Sequence, residues 1–245
     1  MAFGSFFLLA VVSVVISIVN AELPASLKTC SKNSNDYSSC LRLAFQENWP
    51  TLVRGIPEYK IPVLDPFVTE VEHFNFEMGE VTGKMVVKNV QSYGAAKIQF
   101  HSIRPYHSEN HFRLDIDFTV PKVLVEGDYK AEGSIGTLRH NGKGQFNVSM
   151  ENVRSIVQME GSIVNDRWIL DEVLLTPEVG SMKVWASNLF RGNEALTKVA
   201  LEFVNQYWQV LYQGMLPYAA KSWNESLKKM ANDILINIPF SDLFP

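Results

Sequence analysis

The last fifth of the chain, residues 194–238, carries apolar residues at the spacing of one very long α-helix. Between Leu196 and Met215 they cover an arc of roughly 220°, at about 100° per residue. A helix on a domain surface has a narrower apolar stripe, so we expect this one to be covered on more than one side. It would span about 66 Å, whereas a compact chain of this length would be roughly 44 Å across. We therefore predict an elongated molecule, with a kink at Pro217 rather than a reversal of the helix.

Alternating apolar and polar residues indicate β-strands through the middle of the chain. In residues 112–120 the apolar side chains share one face, and Asp115 and Asp117 fall on the other, which we expect to be exposed. Turn-forming residues at 140–144 and at 165–167 separate predicted strands. Strands that follow one another with short turns predict an antiparallel sheet.

A shorter helix is predicted before these strands, over residues 40–49, with Ser38 or Ser39 as its N-cap and Pro50 at its end. Helical segments therefore lie at both ends of the chain. The sheet has one apolar face to bury and the C-terminal helix has a wide apolar arc, and both needs are met if the sheet curls around the helix. The predicted fold is α+β: a long C-terminal helix wrapped by a strongly curved antiparallel β-sheet, in an elongated single domain.

The first 21 residues have the features of a secretory signal peptide. They contain no charged side chain, residues 6–18 are apolar apart from two serines, and small residues stand at positions 19 and 21. The apolar stretch is shorter than the roughly 20 residues of a membrane-spanning helix, which disfavours an uncleaved anchor. Cleavage would release residues 22–245 as one secreted, extracellular domain without stable membrane insertion.

The net charge of −4 is unchanged by this cleavage. Such mild acidity argues against nucleic acid as a partner, since phosphate binding requires a basic face. Cys30 and Cys40 are the two cysteines, and in a secreted chain we expect them to form one disulfide. Asn147 and Asn224 stand in glycosylation sequons. Asn147 falls in a predicted strand, and Asn224 is expected on the polar side of the C-terminal helix.

The sequence contains no G-x-S-x-G elbow, no Walker loop and no H-E-x-x-H motif. His107 and His111, with Glu109 between them, are the nearest approach to a metal site, but they fall in a predicted hairpin loop, where solvated side chains are expected. Asp115 and Asp117 could act as an acid–base pair, yet on an exposed strand face carboxylates more often serve solubility. We therefore expect no catalytic residue, no metal, no cofactor and no enzymatic activity.

A sheet curled around a helix encloses a long apolar space, and the chain is rich in side chains that suit such a space. It contains 15 Phe, 8 Tyr, 5 Trp and 8 Met, which are large, polarisable and adaptable. Any one of them can equally belong to an ordinary core. Nine aromatic residues are the candidate lining of an apolar ligand site: Phe76, Phe100, Phe112, Phe118, Trp168, Trp185, Phe203, Tyr207 and Trp223.

Four segments and the early cysteine pair form a specific combination. The segments are residues 55–66 (GIPEYKIPVLDP), 86–91 (VVKNVQ), 142–146 (GKGQF) and 238–245 (IPFSDLFP). Together they resemble the takeout / juvenile-hormone-binding proteins of insects. The resemblance covers nearly the whole chain after the signal peptide, and Tyr59 departs from it where leucine is expected.

The resemblance implies a long helix inside a strongly curved antiparallel sheet, and a secreted carrier of hydrophobic ligands. Members that carry juvenile hormone typically have a second disulfide, for which this chain lacks the cysteines. It is therefore more similar to the takeout branch, whose ligands are varied, and feeding, circadian or hormone-related roles are implied without a choice among them.

The predicted function is a secreted, non-enzymatic carrier of a hydrophobic small molecule. The resemblance and the enclosed apolar space favour a terpenoid, juvenile-hormone-like, fatty acyl or quinone-like ligand. The alternative is a secreted interaction protein with a filled core, which would act through its surface on a receptor or another partner protein.

Overall fold

The computed structural model describes residues 27–78, 81–135 and 138–245, so the predicted signal peptide, residues 1–21, lies outside it. The helices and strands are α1 (Tyr37–Leu52), β1 (Phe67–Met78), β2 (Val81–Tyr93), β3 (Gln99–His107), β4 (His111–Ile135), β5 (Leu138–Val164), β6 (Arg167–Ala186), α2 (Glu194–Gln206), α3 (Trp208–Leu235) and α4 (Phe240–Leu243). Among the described residues, no helix combines the length and the apolar character needed to cross a membrane.

The described strands form one antiparallel sheet organised around β4. Its order is β1-β2-β4-β5-β6, and β3 also pairs with β4. β4 has 25 residues, enough to pair with β3 through residues 112–119 and with β2 through residues 124–135. β5, with 27 residues, pairs along the other side of β4. The two long strands β4 and β5 are therefore at the centre of the sheet, and the shorter strands lie on either side of them.

The sheet is strongly curved, because its two edge strands reach the same helix. The Trp223 side chain of α3 donates from Nε1 to the carbonyl of Leu175 in β6 at 3.0 Å. The Tyr218 hydroxyl of α3 donates to the carbonyl of Glu77 in β1 at 2.5 Å. Since β1 and β6 lie at opposite ends of the strand order, the sheet must curl around α3 for both contacts to form. The predicted fold class is confirmed.

Side chains of α2 and α3 satisfy the backbone groups along the free edge of β6. An unpaired strand edge presents N–H and C=O groups that need partners. In both Asn205 and Asn232 the amide oxygen accepts from a β6 N–H and the amide nitrogen donates to a β6 carbonyl, at distances between 2.8 and 3.0 Å. The pairs are Asn205 with Val184, Tyr212 with Pro177, Trp223 and Asn224 with Leu175, and Asn232 with Leu170. The helices thus cover this edge as a further strand would.

The C-terminal helix is divided at a residue where the sequence predicted no break. The break is at Tyr207, between α2 and α3, and Pro217 lies inside α3. Tyr207 has φ −110° and ψ 21°, outside helical values, although its N–H still donates to the carbonyl of Phe203 at 3.0 Å. On either side of Pro217, the hydroxyls of Tyr212 and Tyr218 bind β6 and β1. The helix therefore continues through the proline, with a tyrosine on each side bonded to a different edge of the sheet.

The first helix is longer than predicted. α1 starts at Tyr37 and continues beyond Pro50, which lies in its last turns. The predicted caps, Ser38 and Ser39, are inside the helix, and Asp36 occupies the N-cap without a side-chain capping bond. Tyr37, the first residue of α1, packs against buried apolar residues, and no side chain caps the helix.

Residues 140–144 belong to β5 and do not form the predicted turn. The chain after β6 passes closely over β5 at this point, and a Cβ atom on Gly142 would lie 2.5 Å from the carbonyl oxygen of Leu189. The glycines therefore permit a close approach of backbones instead of a reversal. The other predicted turn is confirmed, since Asn165 and Asp166 have φ values of 50° and 56° and join β5 to β6.

Two buried apolar clusters lie towards opposite ends of β4. The α1-end core comprises Cys30, Leu41, Ala44, Phe100, Ile103, Phe112, Leu114, Ile116, Trp168, Leu170, Val173, Phe240 and Phe244. The α2-end core comprises Val87, Val90, Tyr129 and Ala186, with Phe74, Met85, Val125, Ala131, Phe146, Leu189 and Leu201 partly buried against it. The first contains residues of α1, α4 and the sheet, whereas the second consists of strand residues with α2 beside them.

Both chain ends of the described part close the α1 end. Cys30 and Cys40 form the predicted disulfide, with an S–S distance of 1.99 Å. The backbone N–H of Lys32 donates to the carbonyl of Pro245 at 2.6 Å. The N-terminal arm is therefore fixed to α1 and to the C-terminus.

Asp115 and Asp117 are buried, so the prediction that they lie on an exposed face was wrong. Their exposed fractions are 4% and 8%, because β3 and β5 flank β4 on both sides here. Arg113 donates two hydrogen bonds to Asp115, at 2.7 and 2.9 Å, and Arg154 donates two to Asp117, at 3.3 and 2.9 Å. Two-bond guanidinium–carboxylate pairs of this kind offset the cost of removing the charges from water.

Candidate ligand-binding site

The candidate site lies where α2 packs beside the end of β6. A cavity of about 740 Å³ is lined by residues of both elements and of the connection between them. Buried Ala186 and partly buried Leu201 lie on its walls together with the exposed side chains of Lys198 and Glu202. Sites for small molecules have volumes of roughly 300–1,000 Å³, so this cavity has the size to hold one.

The cavity is continuous with the α2-end core. Ala186 belongs to that core and Leu201 packs against it. Phe74, also packed against it, lies on the same face of β1 as Glu72, whose carboxylate binds the Ser222 hydroxyl of α3. This face therefore points to the helix. The cavity therefore borders the apolar residues that lie between the sheet and the C-terminal helices, a region that we call the helix-side interior.

The C-terminal helix α3 is less buried than the α1-end core. None of the 28 residues of α3 is buried, although strands border this helix on two sides. Its apolar residues Leu211 and Met215, for example, are only partly covered. The sheet therefore covers the apolar residues of α3 only in part.

The phenol groups that border this interior are bonded to backbone carbonyls. The Tyr129 hydroxyl donates to Ser187 and the Tyr212 hydroxyl donates to Pro177, both at 2.7 Å. Burial raises the pKa of both phenols above the ordinary value. Both side chains are therefore uncharged at physiological pH, with their hydroxyls bonded to the backbone.

Four of the nine predicted lining residues fill the α1-end core instead. Phe100, Phe112 and Trp168 are buried there, and Phe118 is partly buried against the same cluster. The Phe112 side chain is completely buried, with its ring centroid 4.8 Å from that of Trp168. The predicted inward direction of these side chains is correct, but α1 and the C-terminal segment fill the space in front of them.

Trp185 is the predicted lining residue that borders the cavity between α2 and β6. Trp223 instead uses its indole nitrogen to cover the β6 edge. Phe76 is in β1, and its side chain lies outside the described part of the structure. Of these three residues, Trp185 is the one that lies beside the cavity, and its side chain is exposed.

Phe203 and Tyr207 lie on the opposite side of α2 from the cavity. Their exposed fractions are 54% and 47%, and their rings contact each other with centroids 4.9 Å apart. Asn205, which binds β6, is about 200° away from Phe203 around the helix. This separation turns the two aromatic rings away from β6 and towards solvent, so their predicted lining role is not supported.

Sequence reasoning missed Leu201 and Ala186, which line the cavity. It also missed Phe74 and Met85, which pack against the core beside it. Leu201 belongs to the wide apolar arc of the C-terminal helix, which was visible in the sequence. The arc alone does not show which part of it faces β6. That information comes from Asn205, whose side chain fixes the rotation of α2 through its two bonds to Val184.

The histidine pair forms no metal site. His107 and His111 flank the predicted hairpin between β3 and β4, and Nε2 of His111 lies 2.8 Å from a carboxylate oxygen of Glu160. Among the described residues, no group of three or more His, Cys, Asp or Glu side chains is placed to hold a metal ion.

The two sequon asparagines are in different surroundings. Asn147 is a partly exposed residue of β5. Asn224 does not face the polar side of the helix as expected, because its side-chain oxygen accepts a hydrogen bond from the N–H of Leu175 at 3.0 Å.

The sequence matches the family described as haemolymph juvenile hormone binding protein (JHBP) over residues 6–245, and the chain belongs to this family. No curated protein matches it. Takeout 1 of Epiphyas postvittana has a similar crystal structure, with a TM-score of 0.72 and 22% identity over 88% of this chain and 98% of that one. A lipopolysaccharide binding protein matches with a TM-score of 0.31 and 16% identity, over 77% of this chain and 39% of that one. The Takeout 1 likeness confirms the fold, and the family match confirms the resemblance found in the sequence.

Proposed function

We propose that this protein is a secreted, non-enzymatic carrier of a hydrophobic small molecule. The observation that carries the proposal is the cavity of about 740 Å³ between α2 and β6, which Ala186 and Leu201 connect to the helix-side interior. Membership of a family described by juvenile hormone binding supports the same function. The uncharged hydroxyls of Tyr129 and Tyr212 are compatible with an apolar guest.

Burial of apolar surface supplies the binding free energy in this proposal. An extended ligand with about 400 Å² of apolar surface gains roughly 10 kcal/mol on burial, before the cost of association. A micromolar dissociation constant corresponds to about 8 kcal/mol, so no charged contact is required. This reasoning favours a terpenoid, a juvenile-hormone-like ester, a fatty acyl chain or a quinone-like molecule.

Filling the cavity tests its role. Leu201→Trp places a bulky ring between α2 and β6, whereas Leu196→Trp makes the same change at an exposed position of α2. We expect Leu201→Trp to weaken binding of the fluorescent probe N-phenyl-1-naphthylamine by about tenfold, and Leu196→Trp to leave it unchanged. Melting temperatures of both variants show whether each is folded. Folded variants with equal probe affinities would contradict the proposed site.

Secretion is part of the same proposal. We expect residues 1–21 to be removed as a signal peptide and residues 22–245 to act outside the cell. Asn147 is the more accessible glycosylation site, since the side chain of Asn224 is bonded to β6. The intact mass of protein from a eukaryotic expression medium tests both points, because it reports the new N-terminus and any glycan.

An exposed apolar stripe that runs from α2 into the start of α3 favours a second candidate function, binding of a partner protein through the surface. The stripe consists of Leu196, Val199, Phe203, Tyr207 and Val210, spaced three or four residues apart and all exposed. In that case the interior would stay empty of ligand. Recovery of the secreted protein without any bound apolar molecule would favour this function over carriage.

A further inference from the structure

A second cavity lies on the outer face of the sheet, which is turned away from α3. It has a volume of about 780 Å³ and lies across β1, β2, β4 and β5. Side-chain alternation places it outside, because Tyr129 belongs to the α2-end core and its neighbours Asp128 and Lys130 point the other way. We call this cavity the outer groove. The sheet separates it from the helix-side interior.

Three lysines border the outer groove. Lys130 of β4 lies directly opposite Lys143 of β5. Lys88 of β2 lies directly opposite Asp128 of β4. Two like charges directly opposite each other destabilise a sheet. An anion bound between the lysines would relieve this repulsion.

Few of the groove's positive charges are neutralised within the protein. Lys130 pairs with Glu132 at 2.7 Å. In the described part of the chain, Lys88 and Lys143 take part in no ion pair. Asp128, the carboxylate in the lining, is partly occupied by a hydrogen bond from Nδ2 of Asn89 at 2.9 Å. The groove therefore keeps a positive charge on a protein whose net charge is negative.

The outer groove also has an apolar part. Val71 and Val86 line it on neighbouring strands, and the Val71 side chain is 45% exposed. Val71 lies opposite Lys88, and Val86 lies opposite Lys130. Apolar surface is thus placed directly beside cationic groups, an arrangement complementary to a molecule with an anionic group and a short hydrocarbon part.

We propose that the outer groove is a second binding site, for a soluble amphipathic anion such as an alkyl phosphate or a fatty carboxylate. The anionic group contacts the ammonium groups of Lys88, Lys130 and Lys143, and the alkyl part lies on Val71 and Val86. The site does not depend on the proposed carrier function, because it lies on the other face of the sheet.

The test compares three probes by ¹H–¹⁵N NMR titration of the full secreted protein: hexyl phosphate, inorganic phosphate and 1-hexanol. We expect hexyl phosphate to bind more tightly than either of the others and to shift the amide signals of Val71, Lys88 and Gln145. Raising the salt concentration to about 0.5 M should weaken it, because exposed charges are screened.

A charge-removing variant separates the groove from general electrostatic attraction. The double variant Lys88→Gln, Lys143→Gln should bind hexyl phosphate about fivefold more weakly than the wild type, the scale expected for exposed ion pairs. Lys183→Gln, at an exposed lysine of β6, should have no effect. Binding of N-phenyl-1-naphthylamine in the same variants reports on the helix-side interior separately.

Three results would overturn the proposal. They are hexyl phosphate binding no tighter than hexanol or inorganic phosphate, equal affinities of the double variant and Lys183→Gln, and shifts confined to residues around Leu201. Loss of N-phenyl-1-naphthylamine binding with the groove intact would count against the carrier function and leave the outer groove in place.

Discussion

His107 lies at the α1 end with its ring against aromatic side chains of the α1-end core and its edge. Its centroid is 4.5 Å from that of Phe112 and 5.8 Å from that of Tyr37. Burial, with a smaller contribution from Lys32, lowers the pKa of the imidazole below its ordinary value of about 6.5. Between the lowered value and the ordinary one, the unfolded chain binds more protons than the folded chain, so stability rises with pH through this window.

We predict that this histidine contributes to a loss of stability in acid. As the pH falls below about 6.5, the wild type should lose stability because protonating His107 is easier in the unfolded chain. The His107→Gln variant should lose less stability over the same pH range. Urea unfolding midpoints at about pH 7.5 and about pH 5 measure the change in stability with pH for the wild type and for the variant. A variant with the same pH dependence as the wild type would remove His107 from the explanation.

Single residues show the limit of what alternation predicts. It correctly turned Phe112 and Phe118 inward, and it placed Asp115 and Asp117 on the other face. It did not show that α1 fills the space in front of Phe112, or that Arg113 and β5 cover the two aspartates. Periodicity along a strand gives the direction in which a side chain points. Whether that side chain is buried depends on segments that are distant in sequence.

At the scale of elements, the attachment of α3 to β6 depends on a few side chains. Asn232 makes two bonds to the backbone of Leu170, at 2.8 and 3.0 Å. We predict that Asn232→Leu lowers the free energy of unfolding by about 1–3 kcal/mol, because a buried N–H and carbonyl would lose their partners.

The matched control for this variant is Asp233→Leu, the same new side chain at the exposed neighbouring position of α3. Urea unfolding midpoints compare the two variants directly. If Asp233→Leu destabilises the protein as much as Asn232→Leu does, the bonds to β6 are not what attaches the helix.

Some element boundaries were not encoded in local sequence. The helix breaks at Tyr207, where no glycine or proline marks it. It continues through Pro217, and the hydroxyls of Tyr212 and Tyr218 are bonded to opposite edges of the sheet. Residues 140–144 have the composition of a turn, but their glycines serve the close passage of the chain beside Leu189. The error at residues 140–144 comes from a contact between segments distant in sequence.

At the scale of the whole molecule, the two ends of the curved sheet differ. The α1 end is filled by aromatic rings and closed by the disulfide and the C-terminus. The α2 end has a cavity beside a smaller core. The wide apolar arc of the C-terminal helix, together with a one-faced sheet, was enough to predict the curled architecture. Which end is filled was not predictable, because α1 and α4 come from opposite ends of the chain.

The most direct test of carriage is native mass spectrometry of the secreted protein, followed by organic extraction and identification of what is released. We expect a mass excess equal to one apolar molecule in the wild type and in Leu196→Trp, and a reduced excess in Leu201→Trp. A clean unliganded mass, with no uptake of terpenoids, fatty acids or quinones on titration, would contradict the carrier function.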